Sequence, residues 1–381
     1  MKRFNTAILL VLGLTSFGMA QSGRRVETLP SPSPTPAPEL TYSESVPTEK
    51  RSFRVFPARR EEPKPDEKKP TSQSKTSAAT TTDPLEEGPV ERVNTSLVTI
   101  PVSVFDRQGM YIPNLEQKNF KIFEDGDEQE IAYFGTSEKP FTVVILLDIS
   151  PSTQYEIGEI RAAATAFVDQ LKPQDKVIVI EFGRKVNLLS EATSDRAATY
   201  KAINKANFGS GTSLYDAVAF SLTKQLNAID GRKAIVLFTD GVDTTSHKSY
   251  YDSTLALAEE SEALIFPINY DTYEKTHEDA MLNIGPPPAG TTAEEYAIGR
   301  KYLEELASYT GGRVFQPEST PGGLTRAFEG IAEELRRQYN IGYVPKKDGT
   351  PGQRKQIKVR VDRPNLVIRA RDSYIVGKNK K

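Results

Sequence analysis

Short apolar runs of β-forming residues alternate with amphipathic helical segments through the middle of the chain. The predicted strands cover 142–147, 177–182, 233–239, 263–268 and 313–315, and the predicted helices cover 156–171, 213–226, 251–262, 293–309 and 324–337. This alternation predicts a mostly parallel sheet with helices on both faces, because parallel strands need long crossover connections. The predicted fold class is therefore α/β, with a doubly wound, Rossmann-like sheet.

Polar residues follow two of these strands, and a third polar turn precedes a predicted helix. The three segments are Asp148-Ile149-Ser150-Pro151-Ser152, Gly211-Thr212-Ser213 and Thr239-Asp240-Gly241. The first and third fall at strand ends, where an open α/β sheet binds its ligands. The candidate metal ligands are two carboxylates and three hydroxyls: Asp148, Ser150, Ser152, Thr212 and Asp240. An all-oxygen set of this kind suits Mg²⁺ or Mn²⁺ and is a poor match to zinc or copper.

Each segment taken alone also has a purely structural interpretation. Asp148, Ser150 and Ser152 could form a polar turn that caps the next helix, and Thr212 could cap the helix that begins at residue 213. Asp240 and the glycine after it could be an ordinary exit from a strand. The combination of all three segments, in this order on alternating strands and helices, favours the metal site.

The pattern D-x-S-x-S, followed by a Thr and then an Asp, resembles the metal-ion-dependent adhesion site of the von Willebrand factor type A family. The resemblance implies that the five candidate residues form the metal set, with some ligands binding through water. The segments 119–126, 338–343 and 369–374 are similar to exported type A-related proteins of Acidobacteria, so the resemblance covers about 93–377.

Strand-like segments also lie on both sides of the α/β region. They cover 97–105, 120–124 and 130–134 before it, and 339–344, 356–361 and 366–370 after it. Because the two ends of a doubly wound domain can lie close together, we expect these strands to form one small β module. The predicted organisation is a signal peptide at 1–20, a linker at 21–91, an N-terminal β segment at 92–140, the type A domain at 141–338 and a C-terminal β segment at 339–377.

The N-terminal residues have the parts of an export signal: Lys2 and Arg3, an apolar stretch at 7–14, and small residues up to Ala20. We expect cleavage after Ala20 and a periplasmic, envelope-associated or secreted protein; a retained N-terminal anchor is the alternative. Residues 21–91 hold twelve of the 26 prolines. Their low apolar content predicts a disordered tether.

The net charge and the numbers of cysteine and histidine residues limit the classes of function that the protein can have. A net charge of −2 gives no bias toward nucleic acid, and the lack of cysteine excludes disulfides and thiol catalysis. With two histidines in 381 residues, a general base beside the metal is not evident. The sequence therefore predicts a non-enzymatic adhesion module, in which an Asp or Glu of a partner protein completes the coordination of Mg²⁺ or Mn²⁺.

Two alternatives stay open at this stage. One is a structural subunit of an envelope assembly, and the other is a metal-dependent hydrolase that uses His247 or Asp243. The predicted loop at 270–292 leaves the same edge of the sheet as the metal site. It either shapes the binding surface or is a plain insertion.

Overall fold

The structure is a computed structural model that describes residues 41–45, 97–136, 140–150, 157–269, 292–317 and 322–377. All of these residues belong to one compact unit, Leu40–Lys381. The predicted export signal, Ser152 and residues 270–291 of the predicted loop lie outside the described residues, as does the tether apart from 41–45.

Fourteen strands and six α-helices make up the described part of the chain. The strands are β1 Ser43–Glu44, β2 Val98–Asp106, β3 Phe120–Glu124, β4 Asp127–Gln129, β5 Ile131–Thr136, β6 Phe141–Asp148, β7 Lys176–Phe182, β8 Val186–Thr193, β9 Arg232–Thr239, β10 Leu264–Asn269, β11 Tyr339–Tyr343, β12 Arg354–Val361, β13 Leu366–Arg369 and β14 Ser373–Ile375. The helices are α1 Ile157–Asp169, α2 Arg196–Lys205, α3 Leu214–Phe220, α4 Tyr251–Glu260, α5 Ala293–Thr310 and α6 Gly323–Arg336.

The central sheet has the strand order β10-β9-β6-β7-β8. The first four strands are parallel, and β8 pairs with β7 in the antiparallel direction. Every residue of β6 and β10 is buried, which fits strands that are covered on both faces. The predicted mostly parallel α/β sheet is confirmed.

Helices cover the two faces of this sheet in two groups. On one face α1, α2 and α6 pack on alternate strand residues such as Val143 and Val236. On the other face α3, α4 and α5 pack on the intervening residues, such as Val144 and Ile235. Because strand side chains alternate between faces, each group of helices has its own hydrophobic core.

A small β module is built from strands at both ends of the described chain. Its two sheets have the strand orders β13-β2-β11-β5 and β1-β12-β3-β4, and β14 pairs with β12. The N-terminal strand β2 therefore lies between β11 and β13, and β3 pairs with β12. Buried apolar residues of both sheets, such as Ile100, Ile122, Tyr339 and Val359, form the core of the module.

Several elements differ from the sequence-based expectation. The pair β8 and α2 was not predicted, since β8 is half-exposed along most of its length and carries no alternating apolar pattern. The predicted strand at 313–315 is a single bridge between Ile268 and Phe315. The predicted helix at 213–226 changes at Ser221–Leu226 into a π-helical turn.

The prediction of disorder throughout 21–91 is wrong for residues 41–45. This segment forms β1 against the edge of β12, where Ser45 exchanges hydrogen bonds with Val359. Glu44 accepts a hydrogen bond of 2.9 Å from Arg360 Nε. A strand edge offers unpaired backbone groups that a short segment can pair with, whatever the composition around it.

We expect the Glu259→Ala variant to be less stable because Glu259 holds the β module against α4. The Glu259 carboxylate is buried and accepts hydrogen bonds from Arg354 and from the Ser373 hydroxyl. Its removal leaves both donors without this acceptor, which should lower the free energy of unfolding by about 3 kcal/mol in urea denaturation.

Glu262→Ala is the matched control for that measurement. Its side chain is 71% exposed and lies 3.9 Å from Lys233, so the same change there should cost less than about 1 kcal/mol. Equal losses in the two variants would show that Glu259 does not hold the module.

Candidate functional site

Asp148 ends the central strand β6 and is fully buried. Its Oδ1 accepts a hydrogen bond of 2.9 Å from the backbone N–H of Ser150, and its Oδ2 accepts one of 2.7 Å from the Thr239 hydroxyl. The first of these bonds closes a local polar turn, which agrees with the structural interpretation of this segment given above. This turn fixes the carboxylate at the carboxyl edge of the sheet, so it is compatible with a metal site.

Asp240 follows the neighbouring strand β9 and is also buried. Its Oδ1 accepts a hydrogen bond of 3.1 Å from the backbone N–H of Val242. The next residue, Gly241, has φ +88°, and a Cβ atom there would lie 2.9 Å from the backbone of Gly299 in α5. The loop after Asp240 can therefore lie against α5 only because both residues at the contact are glycines.

Thr212 lies in the turn before α3 and is buried. Its backbone N–H donates to the Thr244 hydroxyl at 2.9 Å, and its carbonyl accepts the N–H groups of Thr244 and Thr245. The residue in the capping position of α3 is Ser213, whose hydroxyl bonds to the Arg184 carbonyl at 3.0 Å. The alternative in which Thr212 caps this helix is therefore wrong.

The structure brings four of the five predicted ligands to the carboxyl edge of the sheet. Asp148, Ser150, Thr212 and Asp240 are all buried there, with relative exposures of 5% or less. The fifth, Ser152, lies outside the described residues. The assignment of these residues as metal ligands stays a prediction.

The two carboxylates at this edge oppose each other electrostatically. Burial raises the pKa of Asp148, and the negative charge of Asp240 raises it further, while hydrogen bonds from Thr239 and Ser150 act in the opposite direction. A cation between the two groups would offset both effects, because it attracts both negative charges. The residues therefore fit a hard divalent ion such as Mg²⁺ or Mn²⁺.

The site has few strong ligands besides this pair. Within the described ranges no group of three or more His, Cys, Asp or Glu side chains is placed to hold a metal. The remaining candidates are neutral hydroxyl groups, which are weak ligands and suit hard cations.

A network of polar residues that the sequence did not reveal supports the loop after Asp240. Asp216 in α3 accepts hydrogen bonds from the backbone N–H groups of His247, Lys248 and Ser249. Asp243 accepts one of 2.6 Å from the Ser246 hydroxyl. The Thr-Thr-Ser run after Asp243 was the available signal, since such residues commonly bond to nearby backbone.

Two basic residues and one aromatic residue are exposed on the loops around the site. Arg184 and Lys185 are exposed in the turn between β7 and β8, next to Ser213. Phe208 is 43% exposed, and the N–H of the following Gly209 donates to the Ile149 carbonyl at 2.9 Å. These side chains lie on loops that also position Asp148 and Thr212.

Residues 143–242 match the family model of the von Willebrand factor type A domain. The chain contains a von Willebrand factor type A domain. All five predicted ligands lie within the matched residues. Type A domains are binding modules that hold a divalent metal at a metal-ion-dependent adhesion site and bind protein partners.

Solved structures with this domain resemble the chain only distantly. A von Willebrand factor type A protein from Catenulispora acidiphila is 13% identical, covers 76% of each chain and has a TM-score of 0.41. The corresponding domain of the type V pili tip protein Mfa5 from Porphyromonas gingivalis is 14% identical, covers 55% of this chain and 98% of its own, and has a TM-score of 0.40.

A third structure is proximal thread matrix protein 1 from the mussel byssus, with a zinc-occupied site of the same motif. It is 14% identical, covers 55% of this chain and 48% of its own, and has a TM-score of 0.39. At such similarity nothing about ligands transfers to this type A domain. No curated protein matches the chain. Among the described residues no helix is long and apolar enough to cross a membrane.

We expect the Asp148→Asn variant to be more stable than the unsubstituted protein when no metal is present. The raised pKa means that the folded state holds a proton on Asp148 more tightly than the unfolded state does. The stabilising contribution is complete below the ordinary aspartate pKa of about 4 and is lost as the pH rises through the folded value. Asparagine stays neutral and avoids this loss.

Urea denaturation of both proteins in EDTA tests the expectation. Near pH 8 the variant should be more stable by up to about 4 kcal/mol, because the pKa of Asp148 rises from 3.8 to about 7 in the folded state, and the difference should shrink toward zero near pH 4. A variant that is less stable than the unsubstituted protein at the higher pH would contradict the expectation. It would show that burial and the charge of Asp240 do not make an ionised Asp148 unfavourable for folding.

Proposed function

We propose that this protein is an exported binding module that captures an acidic residue of a partner protein through Mg²⁺ or Mn²⁺. The observation that carries the proposal is the pair Asp148 and Asp240. These two buried carboxylates lie at the ends of adjacent parallel strands, at one edge of the sheet, and the charge of Asp240 raises the pKa of Asp148. In the proposed site the ion is held by these carboxylates together with the hydroxyls of Ser150, Ser152 and Thr212.

The charge of this ligand set supports recognition of an acidic group. Two carboxylates balance the charge of one divalent ion, and the three hydroxyls add none. Mg²⁺ takes six oxygen ligands, so five protein ligands, each bound directly or through a water, leave a position for one more oxygen. A carboxylate from the partner would be favoured there over a neutral group, because the ion has only weak hydroxyl ligands besides the two acids.

The surroundings of the site also suit a protein partner. Arg184 and Lys185 are exposed on a loop whose backbone bonds to Ser213, the residue after Thr212, and their positive charge would favour the approach of an acidic segment. The partly exposed ring of Phe208 offers an apolar contact next to it, and aromatic residues are enriched in protein interfaces. A small anionic ligand would have no use for the aromatic contact.

The surroundings of the two candidate bases, Asp243 and His247, favour recognition over catalysis. A hydrolytic base must reach a metal-bound water. The Asp243 carboxylate is engaged by the Ser246 hydroxyl and by the backbone N–H groups of Tyr215 and Ser246. His247 is exposed on the loop that Asp216 holds. We therefore propose that the protein is not an enzyme.

Location outside the cytoplasm is part of the proposal. It is supported by the sequence of residues 1–20, which has a basic start, an apolar stretch and small residues before the expected cleavage after Ala20. The proline-rich residues between this signal and β1 would serve as a spacer. N-terminal sequencing of the protein recovered from fractionated cells tests this directly, and an uncleaved cytoplasmic product would contradict it.

Asp240→Ala should abolish or strongly weaken Mn²⁺ binding, because the neutral hydroxyls cannot replace a charged ligand. Isothermal titration of the purified full chain with Mn²⁺ measures this. Asp195→Ala is the matched control: it removes an aspartate that caps α2 through the N–H groups of Ala197 and Ala198. It should lower stability by about 1 kcal/mol and leave Mn²⁺ affinity unchanged. Unchanged titration of Asp240→Ala would refute the ligand assignment.

Capture of envelope proteins on the immobilised chain tests the recognition step. Binding should require Mg²⁺, be lost in EDTA and fall in Ser150→Ala, while Asp195→Ala retains it. Capture that is indifferent to EDTA and to Ser150→Ala would contradict the adhesion mechanism. A metal that raises the melting temperature without any metal-dependent capture would instead favour a structural subunit.

A further inference from the structure

Three polar side chains form a row across the carboxyl ends of neighbouring strands. Asp148 ends β6, Thr239 ends β9 and Asn269 ends β10. In the strand register Thr239 lies beside Asn269, and the Thr239 hydroxyl bonds to Asp148. The residues just before them, Leu147, Phe238 and Ile268, all pack in the core on the opposite face. Since side chains alternate along a strand, the three polar residues share one face of the sheet.

Asn269 is the member of this row that the metal site does not account for. Asn269 is buried, with a relative exposure of 6%. Its backbone N–H donates to the Phe315 carbonyl at 2.8 Å. The side-chain oxygen Oδ1, in contrast, is buried and receives no hydrogen bond from the described part of the chain.

A buried amide oxygen without a donor costs about 1–3 kcal/mol, so its presence needs a cause. The other buried atoms without a hydrogen-bond partner among the described residues belong to arginines and to one glutamate. Those side chains make ion pairs or hydrogen bonds of their own, such as the Arg313–Glu334 pair at 2.9 Å. Asn269 is neutral, and no described residue compensates its oxygen in this way.

The neighbouring Thr239 hydroxyl has room for one more donor. It donates its hydrogen to Asp148 and accepts the Gly241 N–H at 3.1 Å. A hydroxyl oxygen can accept two hydrogen bonds, so one acceptor position remains. Adjacent strands lie about 4.8 Å apart, a spacing at which one water can donate to acceptors on both strands.

We propose that a buried water bridges Asn269 Oδ1 and Thr239 Oγ1, and that Asn269 is thereby a positioning residue for Asp148. The water donates one hydrogen to each oxygen, which directs the Thr239 hydrogen toward Asp148 and strengthens that bond through polarisation. The proposal rests on the proposed metal site, because its consequence for function is the fixed orientation of a metal ligand. Loss of groups that orient a ligand in this way typically weakens metal binding by 10–100-fold.

Asn269→Leu tests the proposal, since leucine has the same branched arrangement of side-chain heavy atoms and removes the acceptor. In titrations of the full chain with Mn²⁺, the variant should bind roughly tenfold more weakly. Its melting temperature in EDTA should be unchanged or higher, because the unsatisfied oxygen has been removed. A merely structural asparagine would give the opposite pattern, with lower stability and unchanged affinity.

A double-mutant cycle with Thr239→Val tests whether Asn269 acts through that hydroxyl. If it does, the double variant Asn269→Leu/Thr239→Val should bind Mn²⁺ no more weakly than Thr239→Val alone. Thr310→Val is the control: its buried hydroxyl accepts the Ile265 N–H at the other end of β10, so the change should lower stability without altering affinity.

The outcomes separate this proposal from the proposed function. If the unsubstituted chain does not bind Mn²⁺, the metal site itself is refuted, and the positioning role falls with it. If the chain binds Mn²⁺ and Asn269→Leu binds it equally well, the positioning role alone is overturned. Losses of Mn²⁺ affinity that are additive in the double variant would also overturn it, because Asn269 would then act independently of Thr239.

Discussion

Two carboxylates, on Asp148 and Asp240, are held out of water at the ends of neighbouring parallel strands. Their burial and their like charge both raise the pKa of Asp148 in the absence of a cation. The parallel sheet creates this arrangement, because it brings the carboxyl ends of β6 and β9 to one edge. The fold thus maintains a locally unfavourable charge pair that a bound divalent ion would stabilise.

The structure around this pair prevents the two carboxylates from turning outward into solvent. Local bonds from Ser150 and Val242 fix one oxygen of each carboxylate. The contact between Gly241 and Gly299 presses the loop after β9 against α5, and any side chain at either position would prevent it. Proteins commonly accept a local loss of stability at functional sites when the surrounding structure determines the geometry. Here the supporting elements are the two sheet-covering helix layers and the loop that Asp216 holds.

The sequence was sufficient for the elements that carry strong periodic signals. The strands β6 and β9 are continuous runs of β-forming apolar residues, so both their positions and the polar residues at their ends could be predicted. The half-exposed strand β8 gave no such signal. The bonds between Thr212 and Thr244 were also beyond prediction, because they join residues 32 positions apart in two irregular segments. Likewise, the five residues at 41–45 are ordered by pairing with a distant edge, which local composition does not report.

The central claim is that Asp148 and Asp240 hold a divalent ion together with neighbouring hydroxyls. Anomalous diffraction from crystals of the protein grown with Mn²⁺ tests it most directly. The account predicts one strong anomalous peak at the carboxyl edge of the sheet, within direct or water-mediated reach of Asp148, Ser150, Thr212 and Asp240, and none in crystals of Asp240→Ala. No peak at that edge, or an equal peak in the variant, would contradict it.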